Sequence, residues 1–155
     1  MENSIKEKKS IEKKDIEKIF DNLNLKYEIA NYEDDDLNYF IQVDGSNILT
    51  GTGMLEALMY FSTNYPKCTV MIGNVYRFKE DNKSNALEIA NKINAKLNSG
   101  KVVVFEKPKQ LIYIDSRVCG SFSEIDEEFI DIIIKSLYIS LAIIYNDIKA
   151  IGNEK

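Results

Sequence analysis

The stretch from Phe129 to Tyr145 is the most apolar in the chain, and its only charges are Asp131 and Lys135. With about 100° of rotation per residue, Ile130, Ile133, Ile134, Leu137, Leu141, Ile144, Tyr145 and Ile148 form one stripe about 120° wide. That stripe is enough to seat a helix on a sheet. A second stripe, Ile125, Phe129, Ile132, Ile139 and Ile143, lies roughly 160° around from the first. Leaving five such side chains in water forgoes about 1.5–3 kcal/mol each, a sum comparable with a domain's whole stability of about 5–15 kcal/mol. The second stripe therefore demands a cover. Either the first helix or residues 46–66 fold over it, or a partner does: a second copy of the chain, or an apolar segment of a client protein. Ser121 or Ser123 opens this helix, Ser121 forming a capping box with Glu124, and the helix is expected to run to about Ala150.

The rest of the chain supplies what such a helix would pack on. Ser10 can cap a first helix to about Asn24, with Ile16, Ile19, Phe20 and Leu23 on one face. Strand signals follow at Leu25–Tyr32 and Leu37–Val43, with a turn signal at Asp44-Gly45. Residues 46–66 stay open between strand and helix, because Met54–Phe61 combines helix-forming residues with alternation. Lys67–Phe78 reads as a long strand. A second helix, capped by Asn82 or Ser84, runs to Asn98 with Ala86, Ala90, Ile93 and Leu97 aligned, and Gly100 is expected to terminate it. Lys101–Glu106 and Gln110–Val118 then form a hairpin across Lys107-Pro108-Lys109. On that three-residue turn, Val102, Val104, Ile112 and Ile114 share one face and Val103, Phe105, Leu111 and Tyr113 the other. Both faces are apolar, so both are expected to be covered. The expected fold is α+β, an antiparallel sheet flanked by helices in the order α-β-β(-β)-β-α-β-β-α, as one domain over residues 1–155 with 1–9 frayed.

Composition narrows the chemistry. The sequence contains no histidine, which removes His-based triads, His-ligated metals and His pH switches together. A net charge of −5, with Arg77 and Arg117 as the only arginines, disfavours a phosphate-binding surface, so no nucleic-acid partner is expected. The charged run Lys6–Asp15 mixes both signs and reads as a solvated helix face. No apolar run approaches the 20 or so residues of a membrane span and the first ten lack a signal core, so a cytoplasmic protein without membrane contact is expected. Cys68 and Cys119 lack metal or redox spacing and read as buried thiols; a redox role would need Cys119 exposed beside Arg117.

The segment INAKLNSGKVVVFE carries a pattern N-x-x-L-x-x-G-x-apolar at Asn94, Leu97, Gly100 and Val102, followed by the hairpin and the long closing helix. From about residue 67 onward the chain thereby resembles the YbjN-like family, which is similar in fold to type III secretion chaperones. The resemblance implies a sheet flanked by helices, often dimeric, with a regulatory or sensory role and no active site. It transfers no catalytic residue. The segment from Gly45 to Pro66 departs from that pattern.

Other features are weaker. Glu33–Asp36 could hold a hard cation, but the spacing is not that of a calcium loop, and a solvated acidic turn is the simpler reading. The Gly-x-Gly at residues 51–53 lacks the further glycine or Lys-Ser/Thr of a nucleotide loop. Tyr32, Tyr39, Tyr60, Tyr65 and Tyr76 could line a recognition groove, or occupy ordinary strand positions. The expectation is a non-enzymatic, chaperone-like binding or regulatory module acting as a homodimer, without cofactor or metal. Its partner-binding residues would be Ile125, Phe129, Ile132, Ile139 and Ile143. The alternative is a small-molecule sensor, or an enzyme using carboxylates and tyrosines in a pocket on the sheet.

Overall fold

The computed structural model describes residues 10–30, 37–44, 54–79 and 83–153, with side chains described as far as Ala150. The chain is α+β, in the order α1 (Lys13–Asn22), β1 (Tyr27–Ile29), β2 (Leu37–Asp44), β3 (Met54–Phe61), β4 (Lys67–Arg77), α2 (Lys83–Asn94), β5 (Lys101–Glu106), β6 (Lys109–Val118) and α3 (Glu127–Asn153). The strands form one antiparallel six-stranded sheet ordered β1-β2-β3-β4-β6-β5. The segment Met54–Phe61, open in the sequence, is a strand. Its helix-forming residues yield to tertiary context, because Ala57, Met59 and Phe61 alternate onto the core between β2 and β4. The acidic turn at 33–36, Tyr32, the Asp44-Gly45 turn, the Gly-x-Gly, the Asn82 cap and residues 1–9 lie, in whole or part, outside the described residues.

Register assigns each strand residue to a face. Directly opposed residues share a side, so Tyr39 with Met59, Ile41 with Ala57, Met59 with Val70 and Ile72 with Tyr113 form one continuous apolar layer. All three helices pack on this layer. Ile16 and Phe20 of α1, Ala86, Ile89, Ala90 and Ile93 of α2, and Ile130, Ile133, Leu137, Leu141 and Ile144 of α3 belong to the same core. Phe20 meets Tyr39 edge to face at 5.1 Å and Tyr27 at the same centroid distance.

The final hairpin differs from expectation by one residue. Glu106 pairs with Lys109, so the turn is Lys107-Pro108 alone, and Val102 opposes Tyr113 while Val104 opposes Leu111. A two-residue turn instead of three slips the pairing by one, and with period-two alternation that exchanges faces for one strand. Val102, Val104, Leu111 and Tyr113 therefore face the helices, while Val103, Phe105, Ile112 and Ile114 face away. The expected cover for that second side is not supplied by any described element.

Helix ends also differ. Asp126, not Ser121 or Ser123, caps α3: its carboxylate accepts the Phe129 N–H at 2.9 Å. Ser121 and Glu124 belong to a preceding 3-10 turn, where the Glu124 carboxylate accepts the N–H groups of Gly120 and Ser121. At α1, Glu12 rather than Ser10 occupies the cap position.

The pattern Asn94–Leu97–Gly100–Val102 resolves into a clamp. Asn94 Nδ2 donates to the Val102 carbonyl at 2.9 Å and its Oδ1 accepts the Val102 N–H at 2.7 Å. The side chain thus pairs with the edge strand as a neighbouring strand would, and α2 ends there rather than at Asn98. Gly100 is not a helix terminator. Its φ of +73° and its seat against Tyr113, where a Cβ would lie 2.5 Å from the hydroxyl oxygen, are what require glycine. We expect Asn94→Ala to cost about 1–3 kcal/mol through the two backbone groups it strands. Gly100→Ala should cost at least about 1 kcal/mol from backbone strain alone. Urea denaturation of both variants checks this; midpoints equal to the parent would contradict the clamp.

Candidate functional site

Two apolar surfaces and a small set of polar clusters are the places where the described residues could do chemistry or bind. The first surface is the predicted second stripe of α3, and the structure divides it. Ile125 precedes the helix, at the end of the 3-10 turn, and is buried in the chain's own core at 5% exposure. Helical spacing could not be extended back to it, so it is no partner contact. Phe129 packs partly against the core and Ile143 is half-buried. Ile132 at 46% and Ile139 at 61% exposure stand in water. The first stripe, by contrast, is seated throughout: Ile130 to Ile144 are buried, and Tyr145 and Ile148 pack against the core.

The second surface is the side of the sheet turned away from the helices. Across it, Glu28 opposes Phe40, Phe40 opposes Leu58, Leu58 opposes Met71, Met71 opposes Ile114, and Ile114 opposes Lys101. One transverse row thus crosses all six strands with four large apolar side chains between an acid and a base. Beside it lie Ile112 and Val103, then Phe105 at 44% exposure. On the other side Asn38 opposes Tyr60, Tyr60 opposes Thr69, and Thr69 opposes Ser116, with 2.8 Å between the last two hydroxyl oxygens. None of Phe40, Leu58, Met71 or Ile114, all half-buried, belongs to the core packed by the helices, and neither does Ile112, which is buried at 6% exposure on this side. A shallow hollow of about 270 Å³ lies at Asn38, Leu58, Tyr60, Thr69 and Met71, with no carboxylate among the described residues that line it.

The polar clusters are built as supports. Ser99 Oγ donates to Asp115 Oδ2 at 2.6 Å and accepts from Arg117 Nη2 at 2.8 Å. The Ser99 carbonyl accepts from the Tyr113 hydroxyl at 3.1 Å and the Ser140 hydroxyl at 3.2 Å. These bonds tie the α2–β5 loop to β6 and α3. A groove of about 360 Å³ between α2 and α3 has Ile89, Ile93 and Ala150 as apolar lining and Lys92, Lys96 and Asp147 as polar lining. Its one carboxylate, Asp147, is ion-paired to Lys96 at 2.7 Å, so it lacks the two facing acids that acid–base work would use. Among the described residues no three Cys, Asp or Glu side chains are placed to hold a metal ion.

The cysteines are not activated. Burial pushes the Cys119 thiol up, and the nearby carboxylates Glu124 and Asp126 push it further. Cys68 is buried, and its thiol is raised chiefly by that burial. Of the five singled-out tyrosines Tyr32 lies outside the described residues, and the other four do not converge on a groove. Tyr39 is wholly buried among the aromatic rings of the core, Tyr76 packs on the helix side, Tyr60 lies on the opposite face, and Tyr65 is exposed in the β3–β4 turn. The sequence reading expected both faces of the final hairpin to be apolar; the one-residue difference in the turn changes which residues share a side, so Val103, Ile112 and Ile114 line the face away from the helices.

No family model, curated protein or solved structure matches the chain. Among the described residues no helix is long and apolar enough to cross a membrane.

The division of the α3 stripe has a measurable consequence. Ile139→Ser should change stability by no more than about 0.5 kcal/mol, as an exposed substitution does. Ile125→Ala should cost about 2–5 kcal/mol, as a core truncation does. Equal losses in urea denaturation would mean the two residues share one environment after all.

Proposed function

We propose that the chain is a non-enzymatic protein-binding module, chaperone-like as the YbjN-like resemblance implies, that acts as a homodimer. The observation that carries this reading is the sheet face of Phe40, Leu58, Met71 and Ile114, half-buried side chains on which no described element packs. Each of these side chains is partly shielded by its neighbours, so covering it gains about 1 kcal/mol at roughly 25 cal/mol per Å². Eight such side chains from two copies would gather about 8 kcal/mol, within the estimated association cost of about 4–15 kcal/mol. A reversible dimer is the expected outcome. On the far side of the helical layer, Ile132 and Ile139, flanked by Phe129 and Ile143, are the proposed contact for a client protein segment.

The alternative, a small-molecule sensor or an enzyme built on carboxylates and tyrosines, has less support. Among the described residues the hollow on the sheet has no acid in its lining and the groove between α2 and α3 has one, already ion-paired.

Light scattering behind size exclusion tests the reading. The parent chain should run as a dimer that dissociates on dilution, and Leu58→Lys combined with Met71→Lys should run as a monomer with an unchanged far-UV spectrum. A parent that stays monomeric at every concentration would remove the homodimer from the reading.

A further inference from the structure

The transverse row across the sheet says more than that the face is apolar. It begins with Glu28 on one edge strand and ends with Lys101 on the other, and both side chains are exposed. We propose that the occupant of this face is a second copy of the chain, docked about a two-fold axis that runs parallel to the strands between β3 and β4. The proposal rests on the homodimer reading and specifies its geometry.

A rotation about such an axis reverses the row upon itself. Glu28 of one copy comes over Lys101 of the other, Phe40 over Ile114, and Leu58 over Met71. Two rim ion pairs then flank a dry apolar centre, which is the usual anatomy of a specific interface. Other two-folds do not give this match. An axis running across the strands would lay Glu28 against Glu28 and Lys101 against Lys101, which juxtaposes like charges.

Shape agrees with charge. A uniformly twisted sheet is carried onto a parallel surface by this rotation, so the faces can stay in contact over their width with strands aligned, as in packed sandwiches. Six strands at about 4.8 Å spacing and a ladder about 20 Å long give roughly 500 Å² per copy, and roughly 1,000 Å² in total. That is the lower bound for a specific interface and suits a dimer that comes apart on dilution.

Within one chain, Glu28 and Lys101 sit five strand spacings apart, about 24 Å, too far for any direct link. Zero-length carbodiimide coupling of the parent protein should therefore join the Glu28 carboxylate to the Lys101 amine only between copies. The expected product is a covalent dimer whose digest contains that amide. Glu28→Lys and Lys101→Glu should each weaken the dimer about tenfold, and the double exchange should return it to within about threefold of the parent. A dimer seen by light scattering that gives no such amide and ignores both reversals would overturn this arrangement alone, and would mean the α3 strip or another surface holds the copies together. A chain that stays monomeric overturns the homodimer as well. In that case, cysteine labelling of a Leu58→Cys variant separates the remaining occupants: an unreactive thiol means that the chain's own segments cover the face, and a reactive one leaves it open to a different polypeptide.

Discussion

Everything in this molecule turns on cross-strand register in the centre of the sheet. Ile72 opposite Tyr113 and Met59 opposite Val70 put one set of side chains under the helices; Met71 opposite Ile114 and Leu58 opposite Met71 put the alternate set on the other side. Because alternation has a period of two, a slip of one residue would exchange the two sets. The helix side is specified many times over, by Phe20, Tyr39 and Phe61 in ring contact and by the loop bonds to Ser99. On the opposite side the described contacts run between neighbouring strands, as from Thr69 to Ser116. Burial of the first set fixes the second in place at the surface.

That asymmetry explains what the sequence disclosed. The core stripe of α3 was legible residue by residue, because eight side chains at helical spacing have few other uses. The strands β2 and β4 were legible from their β-branched and aromatic residues. The clamp at Asn94 was visible only as a pattern, since its partner is a backbone eight residues away. Two readings failed and one stayed open where local chemistry admits two answers. Met54–Phe61 has helix propensity and strand alternation at once, and its neighbours decide. The hairpin turn has a two- or three-residue solution around Pro108, and the shorter one moves Leu111 and Tyr113 inside. Ile125 fits the helical spacing on paper, but Asp126 caps the helix after it, so a 3-10 turn carries it into the core.

The candidate surfaces follow from the same logic. An interior residue declares itself by periodicity, whereas an apolar residue on an open face looks identical to it in a sequence. Only the placement of helices distinguishes Ile114 from Tyr113. Polar groups tell a parallel story. Arg117, Asp115 and Ser99 are chemically capable side chains, yet their bonds are spent holding a loop. With the thiols disfavoured as thiolates by burial and the sole acid of the helix groove ion-paired, the described residues offer surfaces for association more readily than groups for catalysis.

Phe40 and Ile114 are separated within one sheet by three strand spacings, about 14 Å, so they cannot report on each other unless a second sheet lies on the first. An isotope-filtered NMR experiment on a mixture of copies, one carrying labelled phenylalanine rings and the other labelled isoleucine methyls, measures that contact without altering a residue. Cross-peaks between the Phe40 ring and the Ile114 methyls are the expected result. Intermolecular cross-peaks confined to Ile132 and Ile139, or none at all at concentrations where the ring signals are sharp, would contradict a dimer built on the open face.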